Sequence, residues 1–103
     1  ELRRLPLHDV QACIEIGMLF LKFEMPDAAS RVFRELSKAY DENAEVWRIY
    51  TAALFQAGDY RGALDTANRL RKLLPGDSQA EEMRRIIERK ISQADSIAAK
   101  ESP

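Results

Sequence analysis

The chain has 103 residues, 16 basic and 17 acidic, for a net charge of -1. That length suits one small domain, residues 1–103, with a modest core, and the balanced charge argues against a protein built to coat nucleic acid or an anionic membrane. Only four Gly and four Pro occur in a chain rich in Ala, Leu, Glu, Arg and Ile, which is a helix-forming composition.

Cys13 is the only cysteine, so no intrachain disulfide is available and a reducing, cytoplasmic location is expected. Its ordinary reading is a small buried apolar residue. No apolar run approaches the ~18 residues of a membrane span, so none is expected. No signal peptide is visible. The chain starts at Glu1 rather than Met, as expected of a segment trimmed from a longer product.

In chain order, His8 to Phe23 carries apolar residues on most sides, as a helix packed against two neighbours does, with Asp9 as its N-cap. Met25 to Tyr40 starts again around Pro26, and Ala29, Val32, Phe33 and Leu36 give one apolar face. After the polar Asp41-Glu42-Asn43, a third helix runs from Ala44 to Gly58, which suits a left-handed C-terminal cap. Asp59 caps the fourth helix, which stops at Pro75-Gly76. Ser78 and Glu81 have capping-box spacing at the head of a fifth, longer helix, about 78–98, whose stripe is Met83, Ile87, Ile91, Ala94 and Ala98. No segment alternates as a strand does. The reading is all-α, five helices, short loops, antiparallel neighbours.

Shifted by 34 residues, the sequence matches itself: Cys13 falls on Trp47, Ile16 on Tyr50, Phe20 on Leu54, Ala29 on Ala63 and Leu36 on Leu70. This divides the chain into repeat 1 at about 10–43 and repeat 2 at about 44–77. Repeat 2, with Trp47, Gly58-Asp59-Tyr60, Ala63 and Pro75 at signature spacings, closely resembles the tetratricopeptide repeat, a helix-turn-helix unit of this period. Repeat 1 is degenerate. It keeps Gly17, Phe20, Ala29 and Phe33, but has Glu24-Met25-Pro26 where repeat 2 has Gly58-Asp59-Tyr60, so a different turn is open there. The resemblance covers about two thirds of the chain, residues 10–77. It implies a stack of two antiparallel helix pairs with a long C-terminal capping helix. In that setting Gly58, Tyr60, Ala63 and Pro75 specify turns and helix crossings. Trp47 is expected to be largely buried, and Ala29 and Ala63 to mark the closest helix approaches.

Catalytic or cofactor chemistry has little behind it. His8, the only histidine, is expected to be exposed and has no second ligand for a metal. A His8–Cys13 nucleophile pair is poorly spaced on a helix. The glycines do not form a phosphate loop. A basic cluster, Arg69, Arg71, Lys72, Arg84, Arg85, Arg89 and Lys90, is interleaved with Glu81, Glu82 and Glu88 and lacks stacking aromatics. It reads as a solvated face rather than a nucleic-acid surface. No enzyme, no cofactor and no metal are expected.

The family resemblance implies that the first helix of each repeat lines a groove in which protein partners bind. The matching apolar positions are Ile14, Met18, Leu21, Ile49, Ala52, Phe55, Met83 and Ile86, with Gln11, Glu45, Arg48 and Gln56 as a polar rim. Members that grip acidic chaperone tails place Lys, Asn and Arg in the groove. Here those places hold Ile14, Met18, Ile49, Gln79 and Met83, so that type is not expected. For the same strip, two readings stand open: a hydrophobic binding groove, or partly core in a thin stack over which the last helix folds. By size and groove, the chain is similar to the small cytoplasmic tetratricopeptide chaperones of type III secretion. These shield an apolar helical or extended segment of a partner protein, and on this reading the chain without its partner is expected to homodimerise or be unstable. The other reading is a structural scaffold, either a piece of a longer repeat array or a self-associating adaptor.

Overall fold

The computed structural model describes residues 9–101, with side chains as far as Ile97. Five helices follow one another: α1 (Val10–Lys22), α2 (Pro26–Ala39), α3 (Ala44–Gln56), α4 (Tyr60–Leu73) and α5 (Ser78–Glu101). No strand occurs among the described residues. α5 continues to Glu101, past the expected end near Ala98.

The 34-residue sequence period is also a period of backbone hydrogen bonds. Asp9, Asn43 and Asp77 each cap a helix, their side chains accepting from the amides of Ala12 at 3.1 Å, Val46 at 3.2 Å and Ala80 at 2.9 Å. Satisfying an orphan amide at the first turn is what fixes such a helix start. The cap of α5 is therefore Asp77, not Ser78 as the capping-box spacing suggested.

The turns repeat as well. Between α1 and α2 the amides of Phe23, Glu24 and Met25 donate to the carbonyls of Leu19, Leu21 and Phe20. Between α3 and α4 those of Ala57, Gly58 and Asp59 donate to Ala53, Phe55 and Leu54. Every partner moves by the same 34 positions. Glu24 has φ +57° and Gly58 φ +85°, so the first turn keeps its left-handed residue without a glycine. The sequence left a different turn open at Glu24-Met25-Pro26, and the turn is the same. The hydrogen bonds that end α1 enforce it, at the cost of a strained side chain.

Each helix packs on the next in the chain, and α1 also touches α3. The first core cluster joins α1, α2 and α3 through Cys13, Ile14, Val32, Phe33, Leu36, Val46 and Ile49. The second joins α4 and α5 through Ala63, Ala67 and Ile87, with Leu54, Phe55, Tyr60, Leu64 and Ile91 against it. Ala29 and Ala63 are both fully buried. α1 and α2 also approach closely at Gly17, where an added Cβ would lie 1.9 Å from Phe33 Cε1. The missing side chain on α1 is the space that the Phe33 ring fills.

Trp47 is largely buried, as expected, though short of the fully enclosed core. It lies at the edge of the α2–α3–α4 junction. Its Nε1 donates to the Asp41 carbonyl at 2.8 Å, and Arg69 of α4 reaches the same carbonyl at 3.0 Å with its guanidinium 5.8 Å from the indole centroid. The indole thus buries most of its ring while its N–H and the Arg69 guanidinium share one loop carbonyl. A further polar tie, unmarked in the sequence, crosses from α3 to α4. The hydroxyls of Thr51 and Thr66 are 2.7 Å apart and buried, and each also contacts a carbonyl of its own helix, Trp47 O at 2.7 Å and Ala63 O at 3.0 Å. With one hydrogen per hydroxyl, the pair shares its donors among three contacts.

Candidate binding cleft

The eight strip residues divide. Ile14, at 3% exposure, and Ile49, at 7%, belong to the first core cluster, and Leu21 packs partly against it. For Ile14 and Ile49 the core reading therefore holds and the groove reading does not, because the direct α1–α3 packing closes over them. Met18 stands apart, in a surface hollow with Glu15, Leu19 and Lys22. The remaining four, Ala52, Phe55, Met83 and Ile86, come together.

They line a cleft between α3 and α5, with Thr51 and Ile87 completing its wall and about 180 Å³ of open space. α3 and α5 both pack on α4, and they approach each other less than α1 and α3 do, so this half of the inner surface stays open. The wall is apolar for a simple reason. α3 turns Ala52 and Phe55 inward, α5 turns Met83 and Ile86 to meet them, and the one hydroxyl present, that of Thr51, is already bonded to Thr66. Phe55 is held from behind by Tyr60, whose ring centroid lies 5.3 Å away at 54°. Such a tilted pair favours one ring position over many.

Of the expected rim, Glu45 and Arg48 lie on α3 beside the cleft. Arg48 Nη1 donates to Gln79 of α5 at 3.4 Å, and its Nε lies 3.7 Å from Glu45. Gln56 instead borders a separate hollow with Leu21, Glu24 and Pro26, and Gln11 is exposed on α1.

Three residues of the basic cluster, Arg71, Arg84 and Arg85, are tied to neighbouring carboxylates. Arg71 pairs with Glu81 at 2.7 Å, Arg84 with Glu81 at 3.2 Å and with Glu88, and Arg85 with Glu82 at 3.2 Å. Hydrogen bonds from Arg71 and then Arg84 hold the Glu81 carboxyl below the ordinary glutamate range. Glu81 thereby joins α4 to the start of α5.

Cys13 is buried in the first core cluster. Burial first, and the nearby Asp9 carboxylate second, push its thiol above the ordinary range. A protonated, enclosed thiol is a poor nucleophile. Its proposed companion, His8, lies outside the described residues. Among the described residues no group of three or more His, Cys, Asp or Glu is placed to hold a metal ion, and no helix is long and apolar enough to cross a membrane.

Sequence reasoning missed the Thr51–Thr66 bond and the Asp41 junction. A threonine in an otherwise apolar helix stripe was the available signal for the first. The second joins a loop carbonyl to two distant side chains, and local patterning carries no trace of it. No protein-family model matches the chain, and no curated protein matches it in sequence.

Proposed function

We propose that the chain is a non-enzymatic protein-binding module of tetratricopeptide type, two antiparallel helix pairs and a capping helix. Its α3–α5 cleft holds an apolar helical segment of another polypeptide. The observation that supports this most is the convergence of Ala52, Phe55, Met83 and Ile86 on one wholly apolar cleft. These four are among the positions that the family resemblance, carried along the chain by the 34-residue register, implies for the inner helices. An engineered apolar cavity of about 150 Å³ takes up benzene. The space of about 180 Å³ therefore suits one leucine- or phenylalanine-sized anchor of the partner, with flanking residues at i+3 or i+4 resting on the rim. Met83 adapts its shape to the anchor, and Phe55, fixed by Tyr60, orients it. A small cytoplasmic chaperone of the type III secretion kind is the member class this arrangement fits, because such a protein shields an apolar helix from solvent.

Phe55→Glu and Ile86→Glu each place a carboxylate in the cleft, and burying it unpaired is costly. Met18→Glu lies outside the cleft and serves as the control. Circular dichroism should show all three variants folded. In capture from lysate of the source cell, wild type and Met18→Glu should retain one shared polypeptide and both cleft variants should lose it. Because apolar burial drives the contact, retention should change little between low and moderate salt. Folded cleft variants that keep the polypeptide place binding elsewhere, and loss with Met18→Glu alone moves it to α1.

A further inference from the structure

α1 carries a second apolar stripe, on its solvent side. Ala12, Ile16, Leu19 and Phe23 follow one another at steps of four, three and four residues, the seam spacing of a coiled coil. Ala12 is half-buried, Ile16 is 36% exposed, Leu19 51% and Phe23 66%. Phe23 is the first residue past α1, yet its amide still donates to the Leu19 carbonyl at 3.0 Å, so it keeps its place on the stripe. Two exposed charges, Glu15 and Lys22, border the stripe on the same side. Seven residues apart, they stand about 10 Å from each other along the helix axis, too far to pair. Neither has an ion-pair partner among the described residues. Elsewhere the helices pair such charges internally, as Lys38 with Glu35 and Arg85 with Glu82.

The pattern is complementary to its own reverse. In an antiparallel helix pair, Ile16 meets the partner's Leu19, and Phe23 meets the partner's Ala12, large against small. The residue before a seam residue then faces the residue three past the opposite one. The residue before Ile16 is Glu15, and three past Leu19 is Lys22. The residue before Phe23 is Lys22, and three past Ala12 is Glu15. Both ends of the seam therefore set a carboxylate against an ammonium. A parallel pair sets Phe23 against Phe23 and Glu15 beside Phe20, with no opposite charge to meet.

We propose that this stripe is the interface of a twofold-symmetric homodimer, with α1 of each copy antiparallel to α1 of the other. The occupant of the face is a second copy of this chain, because the face supplies its own complement in shape and charge. Four seam residues and two charges per copy are far fewer than the roughly 20–30 residues a side of a standard interface. The dimer is therefore weak and reversible, with a dissociation constant between about 10 µM and about 1 mM. The α3–α5 cleft is built on other helices and stays open in the dimer. The assignment does not rest on the cleft, so the two are tested apart.

Sedimentation velocity on the 103-residue chain at low salt, from about 10 µM to about 1 mM, should show a monomer–dimer equilibrium. Leu19→Asp should abolish it without changing the thermal melt of the dilute protein. Glu15→Lys and Lys22→Glu each set like charges opposite one another twice per dimer, and each should weaken self-association at least about fivefold. Mixed in equal amounts, these two variants should pair with each other about as tightly as wild type pairs with itself. The double variant Glu15→Lys/Lys22→Glu should homodimerise as wild type does. A chain that stays monomeric over the whole range overturns the proposal, as does a dimer that survives Leu19→Asp. So does a dimer lost with Phe55→Glu instead, which gives self-association to the cleft. Single variants that weaken the dimer without recovery in the mixture and in the double variant overturn the antiparallel register, and the proposal with it.

Discussion

Glu24 and Gly58 occupy the same left-handed place in two turns with the same hydrogen bonds, yet only one has a side chain to strain. A non-glycine residue there costs about 1–2 kcal/mol, partly offset by the freedom glycine has in the unfolded chain. Glu24→Gly is therefore expected to stabilise the protein by about 0.5–1 kcal/mol, and Gly58→Glu to destabilise it by a similar amount. Opposite shifts in denaturation midpoint check this, and same-sign shifts would show that the turns are not equivalent. Gly17 has the reverse problem. Its added methyl meets the ring of Phe33, which is fully buried and has no room to swing away. Gly17→Ala should cost about 1–3 kcal/mol, and Phe33→Leu added to it should recover part of the loss. A second substitution that is merely additive would place the clash elsewhere.

At the level of elements, α5 is held to α4 in two ways. Ile87 and Ile91 pack on the alanines of α4, and Glu81 bridges Arg71 of α4 and Arg84 of its own helix. Ion pairs this exposed contribute little by themselves, so burial decides the docking and the bridge tunes it. The Glu81 carboxyl is held below the 4.5 of an ordinary glutamate. Its stabilising effect is complete above that value and is lost as pH falls through the lower value of the folded state. Acidification below about pH 4.5 should lower the melting temperature, and Glu81→Gln should flatten that part of the profile while leaving the slope above it unchanged. A wild-type profile matched by Glu81→Gln down to low pH would assign the acid sensitivity to other carboxylates.

Over the whole molecule, no repeat closes its own core. The first cluster needs α3 from the second repeat, and the second needs α5 from beyond it. Ending the chain at Asp77 uncovers Ala63, Ala67, Leu54 and Tyr60 together, a patch too apolar for a solvated surface. That fragment is expected to aggregate or to lose cooperative melting. Ending the chain after Ile97 removes only the last turn of a helix whose anchors, Ile87 and Ile91, lie before it, so the melt should hardly change. A monomeric, sharply melting fragment ending at Asp77 would mean that α4 is stable without its cover.

The period, the caps Asp9 and Asp59 and the turn at Gly58 were legible in the sequence because each is set within a few residues, whereas the cap of α5 was read one residue late and the turn at Glu24 was left open. A short polar side chain at 9, 43, 59 or 77 finds an amide three positions on, whatever the rest of the chain does. The helix boundaries and the inward positions of α3 and α5 follow from that local chemistry and from the repeat. What the groove strip becomes was not legible, because it depends on how far apart α1, α3 and α5 sit. α1 and α3 touch and swallow Ile14 and Ile49, whereas α3 and α5 stand apart and leave Ala52, Phe55, Met83 and Ile86 around an open space. Trp47 lies mostly inside, as expected, but the loop carbonyl it shares with Arg69 was not legible, because that contact joins distant parts of the chain. The sequence by itself determined the five helices, to within a few residues at their ends, and the inward faces of α3 and α5. Only the tertiary structure decided which of those faces close on one another, since that is settled by side-chain volumes and hydrogen-bond partners brought from distant parts of the chain.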